Sequence, residues 1–140
     1  MITSFDINIV NFLLNYAKQH KITNKFTLSS CLVYNNKKYG LSINDYNKSN
    51  LLTRTIKSTS CCEANTIYKS SKVLNVTKFR NSTIYVVGVG KSVQCNLLKS
   101  SKPCKYCYNI ITNFNVKRLV YLTSKDNKSL EINEETLNGK

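Results

Sequence analysis

Apolar positions recur along this chain with two periods, and the switches between them map its elements. Near the start, Phe5, Ile9, Phe12, Leu13, Tyr16 and Ala17 fall on one stripe at three- and four-residue spacing. That spacing predicts an amphipathic helix with Ser4 as its N-cap. Two β-rich runs follow, 26–34 and 38–43, separated by the turn-like triplet Asn35-Asn36-Lys37, and they predict a β-hairpin. Residues 44–60 are polar and irregular and predict a loop of a length that often carries function. The stretch 61–69 predicts a helix capped by Ser58, Thr59 or Ser60, with Ala64, Ile67 and Tyr68 facing inward. Residues 83–89 are β-branched and nearly all apolar, as in a buried central strand. Pro103 suits the entry to a helix carrying Cys104, Cys107, Tyr108, Ile111 and Phe114. Another strand is expected at 117–123, a short one at 129–132, and a frayed end over 133–140.

The resulting order, α-β-β-α-β-α-β-β, predicts an α/β fold with parallel crossovers in its middle. About five residues join the last two strands, too few for a parallel crossover, so that pair is expected to be an antiparallel hairpin. A length of 140 residues fits a single domain over 1–140. No run reaches the roughly 18 apolar residues that span a bilayer. Residues 1–6 lack the basic start and cleavage site of a signal peptide. The expectation is a soluble, cytoplasmic protein with no membrane partner.

That compartment changes the reading of the six cysteines. Disulfides rarely persist in a reducing environment, so clustered cysteines there more often bind metal or do chemistry. Cys31 and Cys95 read as buried packing residues. The net charge of +14 attracts phosphate, on a nucleotide or on RNA or DNA, or else it reflects a chain heavy in Lys and Asn throughout.

The chemistry concentrates in C-x-E at 61–63 and P-C-x-x-C at 103–107. A catalytic zinc takes three protein ligands and keeps a fourth position open for water. A C-x-x-C at a helix start puts two sulfurs on one side of the first turn, where the helix dipole favours thiolate. Cys61 stands at the start of its own helix, so Cys61, Cys104 and Cys107 can converge on one Zn2+. Glu63, two residues on, can approach the metal's water as a proton shuttle without being a ligand. C-x-x-C alone also fits a redox pair or half of a structural zinc knuckle; the upstream C-x-E narrows it.

These motifs resemble those of the cytidine and deoxycytidylate deaminase superfamily, whose signature is H-x-E…P-C-x-x-C with three-Cys variants. Cys61-Cys62-Glu63-Ala64-Asn65-Thr66-Ile67 is similar to the family's H/C-A-E-x-N-A-I stretch, and residues 101–107 with 116–121 are similar to S-x-P-C-x-x-C…I-K-x-V-x-Y. Asp45-Tyr46-Asn47 resembles the family's G-Y-N, which implies Asn47 as a sugar contact; a plain turn Asn is the other reading. The similarity covers about residues 25–125. It implies a three-layer α/β/α sandwich with a five-stranded mixed sheet.

The implied activity is hydrolytic deamination of a cytosine nucleoside or nucleotide (cytidine, deoxycytidine or dCMP), with Glu63 catalytic and the backbone N–H of Cys62 beside the developing charge. The implied partners are that substrate and further copies of the chain. Cys61 stands where nucleotide- and tRNA-acting members have His, and Cys62 and Asp45 replace small residues. A deaminase editing C or A in RNA or DNA, and a non-catalytic zinc protein of the same fold, are the competing readings. His20 is expected to be solvated, and Phe26, Tyr106 and Tyr121 to pack in the core rather than stack on a base. Lys99, Lys102 and Lys105 flank the motif as phosphate attractors or plain surface.

Overall fold

The computed structural model describes residues 1–20, 26–44, 61–90, 101–124 and 130–137. Their elements are α1 (Ser4–Gln19), β1 (Thr27–Tyr34), β2 (Lys37–Ile43), α2 (Cys62–Ser71), α3 (Val76–Phe79), β3 (Thr83–Val89), α4 (Lys105–Asn113), β4 (Arg118–Thr123) and β5 (Glu131–Thr136). The five strands form one mixed sheet in the order β2-β1-β3-β4-β5. β3 and β4 are parallel across the α4 crossover, and β4 and β5 are antiparallel.

The period of two along the strands splits the core into two layers. Cys31, Val33, Tyr85, Val87, Val89, Val120 and Leu122 face Ile9, Val10, Leu13, Leu14 and Ala17 of α1. Their neighbours Leu32, Ile84, Val86 and Leu119 face Cys62, Ile67, Phe79 and Ile111 on the other side. The result is the expected three-layer α/β/α sandwich. β3 reads as an unbroken apolar run because helices cover both of its faces. Cys31 is fully buried, and burial pushes its thiol up to about 12.

The β1–β2 turn is Asn35-Asn36 with φ of 52° and 63°, the double positive-φ geometry that suits a tight hairpin and that Asn tolerates. Gly40 breaks the register of β2 with a bulge and a φ of +64°. A Cβ there would meet the Thr66 carbonyl oxygen at 2.5 Å, so α2 rests directly on the β2 backbone. The Thr66 hydroxyl lies 2.8 Å from the Gly40 carbonyl and 3.1 Å from that of Ser30, fixing the height of α2 over the sheet.

Several expectations need correction, among them the cap of α2, which is Cys61 and not Ser58, Thr59 or Ser60. The α1 N-cap is Thr3, in a reciprocal capping box with Asp6, not Ser4. The α1 stripe is rotated. Phe5 and Phe12 are 37% and 39% exposed, because Asp6, Val10 and Leu14 take the inward positions. Asp6 is drawn inside by the Tyr85 hydroxyl and by Arg118, whose Nη1 and Nη2 each lie 2.9 Å from its carboxylate. Finally, β5 starts later than expected and runs through part of the segment read as frayed. Its Glu134 is held by Arg118 and the chain's amino terminus, and its Glu135 accepts from the Tyr108 hydroxyl. The short helix α3 was not expected at all. Asn75 caps it by accepting from the Lys78 amide at 3.0 Å.

Candidate metal centre

Cys61 and Cys104 are the N-cap residues of α2 and α4, with extended backbones (φ/ψ of −77°/144° and −66°/167°). Neither side chain caps its helix. Cys107 lies in the first turn of α4 and is fully buried. The three Sγ atoms all lie within 4.8 Å of one another. Sulfurs about 2.3 Å from a tetrahedral zinc would be separated by about 3.8 Å, so the cluster needs little adjustment to close on one ion. Among the described residues the group has three ligands, the number that leaves zinc one open position.

In the bare site the Cys107 thiol is pushed up, first by its hydrogen bond with Cys61, then by burial and by the charges of Glu63, Cys61 and Cys104. Without a cation the cluster relieves this repulsion by holding a proton; a bound cation would let all three sulfurs act as thiolates. Two helix N-termini aimed at the cluster supply part of that positive field.

Glu63 is 5% exposed and belongs to the same electrostatic group, since its charge bears on Cys107. Cys62 turns away into the core among Leu32, Ile67 and Val86, and its thiol lies 2.9 Å from Glu63 Oε1. Burial, then the Glu63 charge, holds the Cys62 thiol in its protonated form. Cys61, not Cys62, therefore stands with Cys104 and Cys107.

The segment that delivers Cys104 is pinned by Ser101. Its hydroxyl donates to the Val86 carbonyl and accepts from the Leu122 amide, both at 2.8 Å, and its own amide donates to the Leu122 carbonyl. Ser101 thus bridges the parallel strands β3 and β4 three residues before the ligand. Sequence reasoning missed the structural roles of Ser101, Thr66 and Gly40. Ser101 was visible within the motif, but the carbonyls these residues engage lie far away in the chain.

Asn47, Cys95 and Lys99 lie outside the described residues. Lys102 and Lys105 are exposed, and Lys102 pairs with Glu135 at 3.4 Å. Tyr121 is half-buried against the α2–α4 layer, whereas Phe26 and Tyr106 are 39% and 43% exposed and not core residues as expected. His20 is exposed, as expected, with its ring 4.3 Å from that of Tyr16. No helix among the described residues is long and apolar enough to cross a membrane.

A sequence model of the family described as the cytidine and deoxycytidylate deaminase zinc-binding region matches residues 3–123. No curated protein matches the chain.

Proposed function

The chain belongs to the cytidine and deoxycytidylate deaminase zinc-binding family, and from that membership we propose that it is a zinc-dependent hydrolase converting a cytosine nucleoside or nucleotide to its uracil form. The observation that carries the reading is the grouping of three sulfurs within 4.8 Å with a buried carboxylate beside them. A purely structural zinc site is ordinarily closed by four protein ligands.

Cys61, Cys104 and Cys107 would hold the ion. Bound zinc supplies a water acidified towards neutrality as the nucleophile. Glu63, buried beside the cluster, would accept a proton from the water that adds to C4 of the base. The carboxylic acid so formed would protonate N3, and Glu63 would then take the proton of the new C4 hydroxyl and pass it to the amine, so that the C4 carbonyl forms, the C4–N bond breaks, ammonia leaves and the carboxylate is restored. Burial of Glu63 excludes competing water from this shuttle. The backbone N–H of Cys62 lies in the first turn of α2, where a helix N-terminus favours developing negative charge. Asn47 is the proposed sugar contact.

A second reading, deamination of a base within RNA or DNA, is favoured by the net charge of +14. Ammonia release measured across cytidine, deoxycytidine, CMP, dCMP, dCTP, adenosine and a short oligonucleotide, with zinc assayed on the same sample, separates the two. Turnover of a free nucleoside or nucleotide supports the first. Turnover of the oligonucleotide alone supports the second.

A further inference from the structure

The carboxylates of the described surface are confined to one edge of the sheet. Asp6 and Glu63 are buried, and the other acidic residues described, Glu131, Glu134 and Glu135, all sit on β5. The opposite edge, β2, is basic and aromatic. It carries Lys37 and Lys38, and Lys69 of α2 reaches across to donate to the Leu41 carbonyl at 3.1 Å. On the α1 side of this edge three rings form a series. Phe12 stacks on Tyr16 at 6.4 Å with planes 12° apart, and Tyr16 meets His20 at 4.3 Å. Lys38 Nζ sits 4.5 Å above the Phe12 ring, tying the strand's charge to the helix's aromatic stripe.

We propose that this β2/α1 edge binds single-stranded nucleic acid. Exposed Phe12 and His20, with half-buried Tyr16 between them, give an aromatic strip at intervals of one helical turn, about 5.4 Å, along whose open surface unpaired bases can pack. The lysines beside them neutralise phosphates, and among the described residues no carboxylate lies on this edge to cancel their field. The rotation of α1 that buries Asp6 leaves Phe12 39% exposed on this edge. A duplex hides its base faces and gains nothing from the rings. α1 lies on the opposite face of the sheet from the cysteine cluster, so this binding stands whether or not the metal centre turns over.

The test is fluorescence anisotropy with the full zinc-loaded chain and a short labelled single-stranded oligonucleotide, its duplex, and vesicles containing phosphatidylserine. Lys37→Gln with Lys38→Gln should weaken single-strand binding at least about tenfold and lower the salt slope by about 1.4, for two phosphate contacts. Phe12→Leu with Tyr16→Leu should weaken single-strand binding about tenfold while leaving duplex binding and the salt slope unchanged. Removing the same charge on the α4 side, with Lys105→Gln and Lys117→Gln, should cost less than about threefold. Three results would overturn the proposal: no single-strand binding at low salt, equal losses in the edge and control pairs, or wild-type affinity in the ring variant. Vesicle binding that depends on the same lysines and outcompetes the oligonucleotide would assign the edge to a lipid surface instead.

Discussion

The hydroxyl of Ser101 donates to the carbonyl of Val86 across 2.8 Å of buried interior, tying the segment before α4 to the central strand of the sheet. The same oxygen accepts from the Leu122 amide, so both parallel strands converge on one side chain three residues ahead of Cys104.

Ser101→Ala leaves a buried amide and a buried carbonyl without this partner. The expected cost is about 2 kcal/mol in urea unfolding. Zinc affinity should fall in the same variant, read by competition with a chromophoric chelator, because the backbone leading to Cys104 loses its anchor. A variant with wild-type stability would show that the Ser101 bridge carries no energy.

Gly40→Ala forces a Cβ to 2.5 Å from the Thr66 carbonyl oxygen and places an L side chain at φ +64°. Strain of about 1 kcal/mol from the backbone adds to the steric clash. The total loss should exceed about 2 kcal/mol, with α2 displaced from the sheet and metal binding weakened. Thermal unfolding with and without zinc checks both effects.

Acid should release the N-terminal helix first. Burial works to raise the Asp6 carboxyl, but the hydrogen bonds from Arg118, Tyr85 and Thr3 outweigh it and hold it well below the usual range. A carboxyl lowered on folding contributes stability that is fully present above its unfolded value, about 4, and is lost as pH falls below that. Asp6→Asn should therefore destabilise the chain by about 3 kcal/mol at neutral pH and flatten the acid limb of its stability profile. An unchanged acid limb in that variant would place the acid sensitivity elsewhere.

The adjacent cysteines should differ sharply. Cys61→Ser and Cys104→Ser should lose stoichiometric zinc, and with it the stabilisation that added metal gives the wild type, at least about 3 kcal/mol where zinc exceeds its dissociation constant a hundredfold or more. Cys62→Ala should keep one zinc per chain and lose only core packing, about 1 kcal/mol. Zinc content by atomic emission decides the assignment, and retention in Cys61→Ser with loss in Cys62→Ala would reverse it.

Much of this architecture was legible because the informative residues are local. The unbroken apolar run of β3, the paired asparagines of the hairpin turn and the spacing of Cys61, Glu63, Cys104 and Cys107 each declare themselves within a few positions. What stayed hidden depends on distant partners. β5 is an edge strand whose glutamates look like solvent-facing tail until Arg118 and Tyr108 are placed opposite them. The rotation of α1 follows from Asp6, a residue any periodicity argument assigns to solvent, being drawn inside by Tyr85 and Arg118. The bulge at Gly40 has no sequence signal beyond the glycine itself, because its cause is a helix carbonyl 26 residues further along the chain.

The most direct test of the central claim is ammonia release by zinc-loaded Glu63→Gln on the substrate the wild type turns over best. Glutamine keeps the shape and cannot carry the proton. The account predicts one zinc per chain, as in the wild type, with the rate down by about 10²–10⁴-fold. A zinc-loaded variant that released ammonia at the wild-type rate would contradict it.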